Sequence, residues 1–255
     1  MQLDLPVEHL QSYKSRSQLA RVATEAWGEA NLFCPNCNSL RVVRSPANTP
    51  AIDYVCPNCN SFFQLKSQSR PFSRRITDAA YQTMLKTIKE DRTPNLLAMH
   101  YEADSWRVRN LILVPRFAFS TSILEKRSPL GPWARRAGWI GCNIILENIP
   151  RDAKIPIVLN GVVVSPAEVR RKCARLRPLA NLRLEKRGWT LDVLNVVRSF
   201  GKEQFSLREV YGSEHALSRL HPQNRHVRDK IRQQLHVLRD FGFVEFLGRG
   251  DYRLR

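Results

Sequence analysis

The chain has 255 residues, of which 41 are Lys or Arg and 23 are Asp or Glu, a formal net charge of +18, with 43% hydrophobic residues, six Cys and fifteen Pro. At about 150 residues per domain this is one large domain or two ordinary ones, with enough chain to bury a core, which excludes a disordered tail or a collagen-like chain. No apolar run reaches the roughly 18 residues a membrane helix needs, and residues 1–10 (MQLDLPVEHL) carry two acids and no basic leader, so a soluble, unsecreted, cytoplasmic protein is expected. Phosphate backbones are the commonest polyanion such a surface meets. Residues 1–165 hold 21 basic and 13 acidic groups and residues 166–255 hold 20 and 10, so both parts are basic.

In residues 17–30 Leu19, Val22, Ala23, Ala26, Trp27 and Ala30 recur at helical spacing, which predicts an amphipathic helix. Short strands are predicted at residues 51–55 and 61–65. A helix follows over residues 78–89, with Thr77 or Asp78 placed to cap it and Tyr81, Met84, Leu85 and Ile88 on one side. The apolar runs at 96–101 and 108–114 read as buried strands. This order describes a mixed α/β domain with one sheet. Long loops with strands near 139–146 and 155–159 are expected next, and the charge run 167–177 (AEVRRKCARLR) reads as a solvated face or linker. We place the domain boundary near residues 175–187, giving 1–180 and 181–255.

The last part is predicted to hold a helix over 190–200, a second starting at the capping box Ser206/Glu209, and a third over 224–241 with Val227, Ile231, Leu235 and Leu238 on one face. A hairpin through Gly248-Arg249-Gly250-Asp251 completes three helices and a β-wing, an α+β winged helix. Its charge points to DNA as the ligand: residues Asn224, Arg225, His226 and Arg228 would enter the major groove, and Arg232 and Arg249 would hold the duplex beside them. Many winged helices bind proteins instead.

Cys34-Pro-Asn-Cys37 and Cys56-Pro-Asn-Cys59 are separated by eighteen residues, the spacing of a closed four-cysteine zinc site. Two disulfides or an unliganded redox pair are the alternatives. A chain without a secretion signal favours zinc, which contributes on the order of 10 kcal/mol to local folding rather than activating water. Cys142 and Cys173 have no such partners and read as buried or incidental thiols. Ten residues separate Asp53 from Gln64-Leu65-Lys66. Strand alternation puts Gln64 and Lys66 on one face, and Asp53 can sit opposite them. Asp53, the Gln64 amide and the Leu65 backbone carbonyl can together hold a Mg²⁺ ion, with Lys66 near the attacking water and Glu25 of the preceding helix as a further member. The same residues also describe an ordinary edge strand with a surface lysine; the setting beside a zinc knuckle in a basic domain weighs toward the metal site. A neutral Gln64 lowers the charge of that site by one and weakens its hold on the ion.

Taken together, Tyr13-Lys14-Ser15, the two Cys pairs, Asp53 with Gln64-Leu65-Lys66-Ser67, residues 134–143 (ARRAGWIGCN), Arg187-Gly-Trp-Thr190, Lys230-Ile-Arg-Gln-Gln-Leu235 and Gly248-Arg-Gly250 resemble the DpnI-type methyl-directed restriction endonucleases over nearly the whole chain. That resemblance implies a PD-(D/E)xK nuclease domain with an embedded four-cysteine zinc site, followed by the winged helix. It also implies Mg²⁺-dependent blunt cleavage of double-stranded GATC carrying N6-methyladenine, in restriction of foreign DNA. Gln64 departs from the Glu usual in that family. One buried methyl is worth about 0.8 kcal/mol, roughly fourfold, so we expect both domains to test methylation. Trp139, flanked by Arg135 and Arg136, is the candidate apolar wall in the first domain, a core tryptophan being the other reading. The rival for the whole chain is a non-catalytic zinc-ribbon and winged-helix DNA reader. The sequence leaves the oligomeric state open and is compatible with a monomer.

Overall fold

A computed structural model describes the chain apart from residues 9–14, 47, 48, 50 and 73. Tyr13 and Lys14 of the family resemblance lie outside the described residues. In chain order the elements are α1 (Arg16–Asn31), β1 (Val43–Arg44), β2 (Tyr54–Val55), β3 (Phe62–Gln68), β4 (Arg75–Ala80), α2 (Tyr81–Lys89), β5 (Asn95–Glu102) and β6 (Arg107–Val114). There follow β7 (Leu124–Lys126), β8 (Gly141–Ile145), β9 (Ile155–Leu159), β10 (Val162–Val163), α3 (Pro166–Leu176), α4 (Leu184–Ser199) and β11 (Gln204–Ser206). The chain ends with α5 (Leu207–Tyr211), α6 (Glu214–Leu220), α7 (Val227–Asp240), β12 (Val244–Gly248) and β13 (Asp251–Leu254). No described helix is long and apolar enough to cross a membrane.

Two compact units emerge. The first comprises residues 1–73, 92–116 and 152–177. Its sheet has seven strands in the order β1-β2-β3-β5-β6-β9-β10, with β3 parallel to β5 and the other pairs antiparallel. The predicted runs at 96–101 and 108–114 are its central strands, and Leu96, Leu97, Met99, Val108, Leu111 and Leu113 are buried, as a sheet covered on both faces requires. Helix α1 presents the predicted apolar stripe, with Ala23 and Trp27 fully buried and the Trp27 indole donating to the Gln2 carbonyl at 2.9 Å. Gly28 is the point of closest approach between α1 and β2. A Cβ there would stand 2.2 Å from the Tyr54 hydroxyl, which donates to the Glu25 carbonyl at 2.7 Å.

The second unit comprises residues 74–91, 117–151 and 178–255. It contains a three-stranded sheet, β4-β8-β7, and the helices α4 to α7 with a further sheet, β11-β13-β12. Helices α4 and α7 share a core of Trp189, Leu194, Val197, Ile231, Leu235 and Leu238, joined by a fully buried hydrogen bond from Thr190 to Gln234 at 2.8 Å. The capping box forms as expected, Ser206 accepting from the Glu209 amide and Glu209 from the Ser206 amide. Arg249 and Gly250 both take positive φ, 51° and 88°, the two-residue turn that matches strand twist in a hairpin.

Five expectations are corrected. The chain before α2 is strand rather than helix: residues 75–80 pair with β8, so Thr77 and Asp78 lie in a ladder and Ala80 occupies the cap position without a side-chain bond. There are two sheets before residue 165 rather than one, because the partner of β4 lies some sixty residues away. The charge run is not a linker; it has a solvated face, with Ala167, Arg171, Ala174 and Arg175 exposed, but also a packed one. It is helix α3, capped by Ser165 with Pro166 in its first turn, and Val169, Cys173 and Leu176 are buried at spacings of four and three. Helix α7 begins at Val227, not Asn224, because the Asn224 side chain accepts from the His226 amide at 2.8 Å and closes a turn ahead of it. The C-terminal part has four helical segments instead of three, α5 and α6 being separated at Gly212-Ser213.

The Gly28 contact gives a direct test. Gly28→Ala is expected to destabilise the chain by about 1–3 kcal/mol, since the new methyl must displace Tyr54 from α1. Urea denaturation reads this, and an unchanged midpoint would contradict so close an approach.

Candidate active site and metal centre

The turn between β2 and β3 is Cys56-Pro-Asn-Cys59-Asn60-Ser61, so the second cysteine pair is itself a hairpin turn. The Cys56 amide donates to the Ser61 carbonyl at 2.9 Å, the Asn60 amide returns to the Cys56 carbonyl at 3.0 Å, and Asn60 takes a positive φ of 55° to close it. The first pair sits in the loop between α1 and β1. Its backbone amides at Asn36 and Ser39 donate to the sulfurs of Cys34 and Cys37.

The four sulfurs converge, all lying within 4.8 Å of one another, with Cys34 to Cys59 at 3.6 Å and Cys37 to Cys56 at 3.5 Å. A tetrahedral ion with bonds of about 2.3 Å requires sulfurs about 3.8 Å apart, so the donor set fits a closed metal site. All six cysteines are free thiols, and none of these sulfur pairs is at bonding distance. Burial pushes the Cys34 thiol up. Burial acts the same way on Cys56, but the amides of Cys59 and Asn58 outweigh it and lower that thiol to about 7. Cys142 and Cys173 are buried, as expected; Cys142 donates to the Ala79 carbonyl and Cys173 to Asn36 Oδ1.

Sequence reading missed the support beneath this cluster. Arg170 of α3 donates to the carbonyls of Cys34, Cys37 and Ser39 at 3.1, 2.8 and 2.9 Å, and its guanidinium stands over the Phe33 ring at 5.3 Å. Arg177 donates to the Asn36 carbonyl at 2.9 Å. The available signal was Val169, Cys173 and Leu176 at helical spacing inside the charge run.

Past the turn, the same hairpin carries the three candidate catalytic residues. Asp53 lies immediately before β2. Its amide donates to the Phe63 carbonyl at 2.8 Å and its Oδ2 accepts from the Leu65 amide at 2.6 Å. Burial raises the Asp53 pKa; the Leu65 amide and the charge of Lys66 pull it back, and Glu25 pushes it further up. Gln64 is buried, 8% exposed, and its amide makes no hydrogen bond among the described residues. Its amide atoms are not among the fully occluded ones left without a partner, so the group stays open to solvent or to a cation. Lys66 follows on β3 at the alternate position. Glu25 is within electrostatic reach of Asp53, but its carboxylate is paired with Arg44 at 2.6 Å and Arg21 at 3.3 Å. The structure thus brings together Asp53, Gln64, Lys66 and Glu25, with Leu65 supplying an amide to Asp53.

The candidate DNA-binding residues belong to the second unit. Arg225, His226, Arg228, Arg232 and Arg249 are all exposed, and Asn224 is half-buried. Arg228 pairs with Glu214 at 2.7 Å and lies over the Tyr211 ring, Arg232 pairs with Asp229, and Arg249 stands at the tip of the wing. Trp139 is half-buried in the loop between β7 and β8, with Arg136 over its ring at 4.7 Å and Arg135 exposed beside it.

A family model described as DpnI, Dam-replacing family, matches residues 1–182, and one described as Dam-replacing HTH domain matches residues 185–254.

The clamp on the cysteine cluster generates a prediction. Arg170→Ala removes three hydrogen bonds from the carbonyls that shape the first knuckle, and zinc affinity is expected to fall about 10- to 100-fold, as for other groups that orient metal ligands. Competition against a chromophoric chelator measures this; wild-type affinity would show that α3 does not hold the cluster in shape.

Proposed function

The chain belongs to the DpnI, Dam-replacing family, ending in that family's HTH domain, and from this premise we propose that it is a Mg²⁺-dependent endodeoxyribonuclease that cuts double-stranded DNA at GATC carrying N6-methyladenine, acting in restriction of methylated foreign DNA. In this reading residues 1–180 form the nuclease domain, built around a structural zinc, and residues 181–255 the DNA-binding domain. The observation that carries it is the polar hairpin: a half-buried carboxylate fixed on the Leu65 amide, a buried glutamine and a half-buried lysine, on adjoining strands. A pure DNA reader gains nothing from drawing a carboxylate far enough from water to raise its pKa beside a buried glutamine, since desolvation of such groups costs free energy.

Asp53 and Gln64 would hold the ion together with the Leu65 carbonyl. When bound, Mg²⁺ supplies a Lewis acid for the scissile phosphate and acidifies a water. Lys66 would orient the attacking water; its oxygen forms the new bond to phosphorus as the bond to the bridging sugar oxygen breaks, the water giving its proton to solvent and the leaving oxygen taking one from it. The hairpin amide at Leu65 keeps Asp53 in place. Zinc in the four-cysteine cluster holds the turn of the same hairpin. Arg225, Arg249 and the other exposed basic residues of the last domain dock the duplex. Two methyl groups at about 0.8 kcal/mol each give only about fifteenfold discrimination, so Trp139 adds a second test of methylation in addition to the winged helix.

Digestion of methylated and unmethylated plasmid with Mg²⁺ tests the proposal, with Lys66→Ala as control. Cleavage confined to the methylated plasmid and lost in the variant is expected. If methylated duplex is bound but survives every Mg²⁺ and Mn²⁺ concentration, a non-catalytic reader remains. Gln64→Glu restores a charge and is expected to lower the Mg²⁺ concentration needed for half-maximal cleavage.

The raised pKa of Asp53 has a definite sign. A proton binds the folded chain more tightly than the unfolded one, so this group's contribution to stability is present at low pH and is lost as pH rises through the folded pKa. Asp53→Asn should therefore abolish cleavage while leaving the melting temperature at neutral pH unchanged or higher. A large drop in melting temperature would mean that the carboxylate is there for structure.

A further inference from the structure

Five tryptophans occur in the chain. Trp27 and Trp189 are buried, and Trp106 and Trp139 are half-buried. Trp133 is 96% exposed. It makes no ring or hydrogen-bond contact among the described residues.

The exposure is not that of a loose end. The loop joining β7 to β8 is laced across its width: Arg127 amide to Gly141 carbonyl at 3.0 Å, Leu130 amide to Trp139 carbonyl at 2.9 Å and Gly138 amide to Leu130 carbonyl at 2.9 Å. At the tip the Ala134 amide donates to the Gly131 carbonyl at 3.0 Å, and Pro132 precedes the tryptophan. Trp133 is therefore held outward by a bonded turn whose φ is restricted by proline.

Trp139 occupies the inner part of the same loop. A Cβ on Gly141 would stand 2.8 Å from its ring, and Arg136 lies over the ring at 4.7 Å. Glycine at 141 thus leaves room for Trp139, and Trp139 in turn seats Arg136. Residues 126–146 contain Lys126, Arg127, Arg135 and Arg136 and no acidic residue. An open hollow of about 590 Å³ in the same loop is lined by Leu130, Ala134, Arg135 and Arg136. The loop belongs to the same compact unit as the matched HTH domain.

We propose that Trp133 is a DNA-contacting residue that lays its indole against the base stack of the bound duplex, while Arg135 and Arg136 hold the flanking phosphates. The polyanion is chosen by the charge of the loop and the ring by its π-face, which stacks on any base. This rests on the reading of the chain as acting on duplex DNA.

The test uses the full chain, with Trp133→Ala, Trp133→Phe and a methylated duplex carrying 2-aminopurine in turn at each position through the site and its flanks, in Ca²⁺ to prevent cleavage. Wild-type protein is expected to brighten the probe at one or two positions as a base step opens. Trp133→Ala should lose that signal and bind roughly five- to tenfold more weakly, with the dependence of affinity on salt unchanged because the phosphate contacts remain. Trp133→Phe should recover most of both. Since the side chain packs on nothing, the melting temperature should not move. Wild-type affinity and probe signal in Trp133→Ala would overturn the inference. So would a loss confined to binding of anionic lipid vesicles, which would make the loop a membrane-contacting one. Failure of the wild-type protein to bind methylated duplex at all would overturn the DNA reading, and this inference with it.

Discussion

One hairpin turn is constrained from two directions, and the geometry of the first unit follows from it. Cys56 and Cys59 form the turn between β2 and β3, and the strands leaving that turn carry Asp53 on one side and Gln64 to Lys66 on the other. A turn of six residues bearing proline, two asparagines and a serine has little apolar area with which to fix itself. The sulfurs of Cys34 and Cys37 meet it from the preceding loop, and Arg170 holds that loop by three backbone carbonyls. The register of Asp53 against Leu65 is therefore set by ligands and hydrogen bonds at the turn, and by Tyr54 reaching α1 over Gly28 on the other side.

Polar groups are wholly or half buried around this hairpin at a cost in stability, and the compensation is local. For Asp53, burial and the charge of Glu25 outweigh the Leu65 amide and the charges of Lys66 and Arg21, and its pKa stays raised. Gln64 is not offset by any hydrogen bond among the described residues. A protein tolerates such groups when surrounding structure holds them, and here the metal-fit cluster and the central strands β5 and β6 supply that rigidity.

The second unit handles charge differently. Arg228 and Arg232 lie in exposed ion pairs with Glu214 and Asp229, pairs worth little in water and easily exchanged for phosphate. Arg136 is seated on an aromatic ring, and the acid-free loop around it leaves Trp133 in solvent. The same +18 charge thus includes residues paired within the fold and residues directed outward, a division that composition alone does not reveal.

How much was legible in the sequence depended on the range of the interaction that decides each feature. The cysteine spacing, the alternation that sets Gln64 and Lys66 apart from Leu65, the stripe on α1, the capping box at Ser206 and the wing turn are all local, because a few neighbouring residues fix φ, ψ or side-chain direction. The resemblance carried the family over nearly the whole chain, and family models match residues 1–182 and 185–254. Residues 75–80 became a strand only because β8 lies alongside, and the charge run became a packed helix only because carbonyls of the first knuckle stand opposite Arg170. Whether Trp133 or Trp139 faces solvent was equally undecidable, since both sit among arginines and glycine; Gly141 gives room to one ring and nothing among the described residues covers the other. Local sequence chose the elements and the ligands, while partners distant along the chain decided which polar groups were buried and which aromatic was left outside.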